Sequence, residues 1–262
     1  MRIGCCVPVE GYEWAVEAGY DYVELPAWQV RSLDREQMDA LLAKKTAAGV
    51  PILRLNAYST GIPAIAGPQA DDAATRAYAH ALMRRAAALG VETVGIGAPA
   101  ARRLPQDYDR HLADRQCERF LRITAAEAAP YGIEILLEAV RSGMCNYMND
   151  LNEAAAMVKR VALPQVRLMA DLYHMEAQGE DWASIRDWLA DIRHVHVSTA
   201  GEGMTRGLYG AEDGPACLRA FRAMKAAGYN GTVSIEPDAA QLNENAMKVA
   251  LALMRQACER AK

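Results

Sequence analysis

No stretch of this chain approaches the roughly 18 to 20 consecutive apolar residues that a membrane span requires. Its start, MRIGCCVPVEGYEW, has one arginine but neither a long apolar core nor a small-residue cleavage site. A soluble, cytoplasmic protein with no membrane partner is expected. The six cysteines (Cys5, Cys6, Cys117, Cys145, Cys217 and Cys258) contain no CxxC pair, which suits neither a zinc ribbon nor a disulfide scaffold. They are expected to be reduced, with Cys5 and Cys6 packing as small apolar residues. There is no excess of basic residues: 29 Lys and Arg against 33 Asp and Glu leave a formal net charge of −4, well interspersed. Without a basic stripe to neutralise phosphates, nucleic acid is not an expected partner. No low-complexity tract or domain boundary is visible, and no glycine-rich phosphate loop follows the first predicted strand, which argues against an open doubly wound sheet.

What is present is a rhythm. Of the 262 residues 52% are hydrophobic and 24% charged, enough for a sizeable core. Short apolar runs alternate with alanine-rich amphipathic stretches, the pattern of βα units on a parallel sheet. Strands are predicted at RIGCCV from Arg2, YVEL from Tyr22, PILRLNAY from Pro51, VETVGIG from Val91, IEILLEAV from Ile133, VRLMAD from Val166, IRHVHVS from Ile192 and GTVSIEP from Gly231. Helices such as DREQMDALLAKKTAAG and DDAATRAYAHALMRRAAALG lie between them, and glycines stand at expected helix stops: Gly49, Gly90, Gly132 and Gly228. Eight strands alternating with about eight helices in a chain of about this length predict an α/β fold, a single (β/α)8 TIM barrel domain over residues 1–262.

In such a barrel the active site lies at the C-terminal ends of the strands. The last four predicted strands each finish in a candidate metal ligand: Glu138, Asp171, His196 and Glu236. Taken singly, Asp171 could instead cap the helix that follows, Glu138 and Glu236 could pair with loop arginines such as Arg141, and His196 could bond within the core. A site of three carboxylates and one imidazole is hard and oxygen-rich. It favours one divalent cation, Mn²⁺ first with Mg²⁺ and Co²⁺ as alternatives, over the surroundings of structural zinc. Such an ion can act as a Lewis acid on an α-hydroxy-carbonyl and stabilise the enolate left when the carbon proton departs. Glu138 and Glu236, from different sides, are suited to take a proton from one face and return one to the other. His174 follows its strand end, where it can reach a substrate oxygen. His194 shares a face with His196 one layer deeper and is expected in the core or behind the ligands. Glu24 ends the second strand and either reaches the pocket or forms a salt bridge. Trp28 and Tyr58 are candidate walls against a sugar ring, with core packing as the alternative. Arg102 and Arg103 are either anion-recognition residues or solvated loop residues. His80 and His111 fall in helices and read as surface or packing residues. Cys145 lies near the proposed site without a role.

The motifs GIGAPAARRLPQDYD, ILLEAV with CNYMND, DLYHM, HVHV and GYNGTVSIEP resemble the xylose isomerase-like barrels, a family that includes ketose 3-epimerases, hydroxypyruvate isomerases, inosose dehydratases and endonuclease IV enzymes. The likeness extends over nearly the whole chain. It implies Glu138, Asp171, His196 and Glu236 as metal ligands, Glu138 and Glu236 as the acid/base pair, and His174 and Arg206 as holders of substrate oxygens. It also implies a small sugar or polyol ketone as substrate, isomerised or epimerised through a metal-bound enediolate, and a homodimer or homotetramer. An inosose dehydratase-like lyase and a non-catalytic sugar-binding barrel are the alternatives. Endonuclease IV-like chemistry, which needs many more histidines, is disfavoured by a total of five. Two departures touch the substrate side: Met144 stands where the family's E-x-x-N-R-x-E pattern has its second glutamate, and LYGAEDGP replaces a proline-glycine-rich turn after Arg206.

Overall fold

In a computed structural model of the chain, which describes residues 1–201 and 205–261, the eight predicted strands close into a parallel barrel. Strands β1 (Arg2–Cys6), β2 (Tyr22–Pro26), β3 (Ile52–Asn56), β4 (Thr93–Ile96), β5 (Glu134–Glu138), β6 (Val166–Asp171) and β7 (Ile192–Val197) are neighbours in chain order. The residue pairs Thr199–Ala200 (β8) and Arg206–Gly207 (β9) form a small antiparallel ribbon at the barrel rim, and β10 (Thr232–Ile235) closes the barrel between β7 and β1.

Register decides which side chains face inward. On β6 and β7 Asp171 lies level with His196, and on β10 Ser234 lies level with His196. Glu138 on β5 is level with Met169, two residues before Asp171. Because side chains alternate with period two, Glu138, Met169, Asp171, His194, His196, Ser234 and Glu236 all point into the barrel. The intervening residues, among them Ile135, Leu137, Leu168, Ala170, Val195, Val197, Val233 and Ile235, are fully or almost fully buried against the surrounding helices. The apolar core is thus the layer between strands and helices, whereas much of the barrel interior is polar.

The longer helices follow their sequence signals. Helix α3 (Arg35–Ala48) starts at a capping box of Asp34 and Gln37 and stops at Gly49 in the left-handed region. Helices α4 (Asp72–Leu89), α6 (Arg110–Ala128) and α7 (Leu151–Val161) begin at the capping aspartates Asp71, Asp109 and Asp150. Helix α9 (Gly214–Ala226) packs on α10 (Glu244–Arg260), which closes the chain. Short helices α1 (Tyr12–Ala18), α2 (Ala27–Ser32), α5 (Pro99–Arg102) and α8 (Leu172–Gln178) occupy stretches not predicted as helical. Among the described residues no helix is long and apolar enough to cross a membrane.

Candidate metal centre

The four strand-end residues converge. One donor atom each from Glu138, Asp171, His196 and Glu236 lies within 4.8 Å of the others. Asp171 carries both readings that the sequence left open. Its Oδ1 caps α8 by accepting from the backbone N–H of Tyr173 at 2.8 Å and of His174 at 3.4 Å, while Oδ2 faces the pocket. The strand ends in a carboxylate because one group starts the next helix and lines the site. Glu236, one residue past β10, continues the ladder through its N–H to Val197, and Asn56 at the end of β3 donates to its Oε1 at 2.9 Å. Glu138 has room because its neighbour one residue past β4 is bare: a Cβ on Gly97 would lie 2.2 Å from Glu138 Oε2.

His196 presents one nitrogen to each of two layers. Its Nε2 donates inward to Glu24 Oε1 at 3.0 Å, and its Nδ1 faces the pocket, 3.0 Å from Glu236 Oε2 and without a hydrogen-bond partner. That is the carboxylate–imidazole arrangement that orients a metal-ligating histidine. Glu24 Oε2 is held in turn by His194 Nε2 at 2.9 Å and by the Ser234 hydroxyl at 2.7 Å, so β2 is tied to β7 and β10 through the barrel interior. Burial alone would raise Glu24, but the two histidines outweigh it and hold its carboxyl well below the usual range. Burial likewise opposes charge on His196, and the Glu24 and Glu236 carboxylates overcome it. The orphaned Nδ1 and the convergent carboxylates fit a hard divalent cation.

Arg206, on the rim ribbon, supplies the local positive charge. Its Nη2 lies 2.5 Å from both Asp171 Oδ2 and Glu236 Oε2, its Nε donates to the Glu236 carbonyl at 3.0 Å, and its guanidinium stacks over Tyr173. Burial works against ionisation of Glu236 and Asp171, yet Arg206 beside them holds both below the usual carboxylate range. Glu138 is different. Burial, reinforced by the charges of Asp171 and Glu236, pushes it up to about 8. Two carboxylates of one pocket are thereby set apart in proton affinity. His174 is buried, with Nε2 3.5 Å from Arg206 Nη1 and Nδ1 without a partner. Burial pushes it down to about 4, so near neutrality the imidazole is uncharged and its approaches of 3.7 Å to Asp171 and 3.9 Å to Glu138 are not ion pairs.

The remaining candidates sort clearly. Glu24 and His194 stand behind the ligand set. Trp28, on α2, is 39% exposed. Tyr58 is a correction: its ring is fully buried against Tyr78 and Phe120 at 5.0 and 5.5 Å, between α4 and α6, so it packs the helix layer and is no open wall. Arg141 lies over the Tyr173 ring at 5.9 Å. Cys145 is buried with its thiol on the Tyr147 carbonyl, and His80 and His111 are exposed on helices. Asn56 was not singled out by the sequence reading, though it is a polar strand end like the others.

Residues 12–257 match the model of the xylose isomerase-like TIM barrel family. The chain is 27% identical over 247 residues to L-ribulose 3-epimerase of Methylomonas sp. (strain DH-1), covering 92% of this chain and 82% of that one. It is 25% identical over 237 residues to a putative hydroxypyruvate isomerase of Mus musculus, covering 85% and 80%. The fold superposes with a TM-score of 0.74, at 19% identity and over 100% and 99% of the two chains, on the crystal structure of the IOLI protein with a bound zinc atom. The strand order, the inward register and the match over residues 12–257 lead to one conclusion: this chain belongs to the xylose isomerase-like TIM barrel family.

Proposed function

We propose that the protein is a divalent-metal-dependent epimerase or isomerase of a ketose or related polyol ketone, acting by proton abstraction next to the carbonyl. The observation that carries this reading is the convergence of Glu138, Asp171, His196 and Glu236 within 4.8 Å at the mouth of the barrel. Relatives named as epimerases and isomerases support the reaction class. Glu138, Asp171, His196 and Glu236 would hold the cation, for which Mn²⁺ is the first choice and Mg²⁺ or Co²⁺ the alternatives. When bound, the cation supplies Lewis-acid stabilisation of the negative charge that develops on the substrate oxygens.

The chain's own residues do the rest. Glu236, held ionised by Arg206 and His196, takes the proton from the carbon next to the carbonyl. Glu138, whose carboxyl binds its proton more tightly, returns one to the opposite face of the planar enediolate, and the two exchange roles in the reverse direction. His174, uncharged and with Nδ1 unpartnered, is placed to bond a substrate oxygen, and the Arg206 guanidinium offers its N–H groups to another. Glu24 fixes the ring of His196 so that Nδ1 faces the pocket. Trp28, half-exposed beyond β2, is the remaining candidate for a wall against the sugar.

The test is proton exchange in D₂O. Metal-loaded wild type with a panel of ketoses should introduce deuterium next to the carbonyl, and Glu236→Gln should abolish it. A metal-loaded wild type that exchanges no proton from any ketone would overturn the proposal. A product lighter by one water would replace it with a dehydratase reading.

A further inference from the structure

A polar strand end that the mechanism leaves unused is Asn56, the last residue of β3. Ala57, with φ +43°, turns the chain immediately after it. Side chains alternate with period two. On β3 Leu55 is buried in the apolar layer, whereas Arg54 is level with Glu24 and donates to Thr93 Oγ1 inside the barrel. Asn56 therefore points inward one step above Arg54, at the mouth. Its Nδ2 donates to Glu236 Oε1 at 2.9 Å. Strands β3 and β10 are not neighbours in the barrel, so this bond crosses the mouth instead of following the ladder.

That bond fixes the whole amide. An ionised carboxylate only accepts, so Asn56 must present its NH₂ to Glu236, and Oδ1 is turned away from it. The side chain is 6% exposed, and Oδ1 is buried with no hydrogen-bond partner among the described residues. A buried carbonyl oxygen that accepts nothing is uncommon and calls for a reason. Its position suggests one. Glu236 Oε2 faces Arg206 and His196, which leaves Oε1 as the oxygen on the Asn56 side. The covalent geometry of the amide holds Oδ1 within about 5 Å of that oxygen. A carbon deprotonated by Glu236 sits about 3–3.5 Å from the base, so the group that reaches Oδ1 is carried by the neighbouring carbon.

We propose that Asn56 Oδ1 accepts a hydrogen bond from the substrate hydroxyl one carbon beyond the carbon that Glu236 deprotonates, and thereby keeps that hydroxyl from leaving. The inference rests on the reaction assigned above and deepens it, because it says which of two fates the enediolate meets. Once Glu236 has taken the proton, the electron pair left behind can recapture a proton at the same carbon, which completes epimerisation. It can instead form a carbon–carbon double bond and expel the hydroxyl β to the carbonyl, whose C–O bond breaks and whose oxygen needs a proton to depart as water. Oδ1 has no proton to give, it engages the one that the hydroxyl carries, and the NH₂ of the same amide is committed to Glu236. Elimination therefore lacks its acid on this side of the pocket.

The deciding experiment compares metal-loaded wild type, Asn56→Ala and Asn56→Asp on a 2-ketohexose and its 4-deoxy analogue in D₂O. Deuterium next to the carbonyl is followed by NMR and loss of water by mass spectrometry, and binding of both sugars is measured by calorimetry. Wild type should favour the ketohexose over its deoxy analogue about 10-fold in kcat/KM and in affinity, the worth of one hydrogen bond. Asn56→Ala should bring that ratio near one and raise the share of turnovers that lose water from the ketohexose by about 10-fold. Asn56→Asp keeps an oxygen acceptor but no donor for Glu236, so exchange should slow while the preference persists. Exchange from both sugars with equal efficiency by wild type means that water meets Oδ1; it overturns the inference, leaves the epimerase reading standing and needs no variant. An equal loss on both sugars in Asn56→Ala, with the share of water-lost product unchanged, marks a residue that only positions Glu236 and also overturns it. Wild type that chiefly releases the dehydrated product overturns the inference and the epimerase reading together. Hydroxyl-dependent binding that Asn56→Ala abolishes, without exchange from either sugar, sinks the epimerase reading and sustains the contact.

Discussion

The bare position at Gly97 yields a sharp prediction. A Cβ there would meet Glu138 Oε2 at 2.2 Å and Glu138 Cδ at 3.3 Å, whereas ordinary contact begins near 3.4 Å. In Gly97→Ala the carboxylate oxygen must retreat by about 1.2 Å, the difference between the two distances. Glu138 is buried and the Val140 side chain lies 3.8 Å from the same point, so the retreat has little free space. Overpacking of this kind costs about 1–3 kcal/mol, and displacing a reacting group by about 1 Å costs on the order of 100-fold in rate. The expected outcome is a Tm lowered by several degrees, weaker Mn²⁺ binding in calorimetric titration, and deuterium exchange slowed by about two orders of magnitude. Gly95→Ala is the control. Its new methyl group meets the flexible Met169 thioether at 2.9 Å one layer below, so stability should drop while Mn²⁺ affinity persists. Undiminished Mn²⁺ affinity in Gly97→Ala would refute the placement of Glu138 as a ligand.

Two further outcomes are expected. Glu24→Gln keeps the shape but weakens the hold on His196, and should lower metal affinity by about 10–100-fold with little change in far-UV circular dichroism; wild-type affinity in this variant would remove Glu24 from its orienting role. Glu138 rises in the folded chain from its ordinary 4.5 to about 8, so as pH increases the unfolded chain gives up this proton first. Its stabilising contribution to the metal-free protein is complete below about 4.5 and is lost on approaching 8. Glu138→Gln should flatten that part of the slope in denaturant titrations of the metal-free protein at several pH values. Identical slopes for variant and wild type would contradict the assignment.

Much of this was legible in the chain. Strands and long helices announce themselves because each has a periodicity long enough to read, and the candidate ligands because a carboxylate or imidazole at the end of a buried strand requires a reason. Short helices α1, α2, α5 and α8 span four to seven residues, too few for a 3.6-residue period to register. The third strand stops at Asn56, earlier than PILRLNAY suggests, because Ala57 turns the chain with φ +43°. Tyr58 then points into the helix layer, a direction set by that turn. Arg102 is read from the sequence as anion-binding or solvated, and nothing in a loop sequence distinguishes a buried guanidinium from an exposed one; only the fold, which buries Arg102 fully at the end of α5, does.

The interior chain from Glu236 through His196 and Glu24 to His194 and Thr232 also matters for engineering. The proposed donors of the candidate metal centre belong to β5, β6, β7 and the edge of β10, and their supports run down through the barrel. The loops after β2 and β4, bearing Trp28 and Arg102, contribute none of the four donors. A designer who wishes to change what the protein accepts can therefore vary those loops as an exchangeable module. Changes in the deep polar layer are the ones to avoid, since an error at Thr232 would be transmitted through His194 and Glu24 to the mouth.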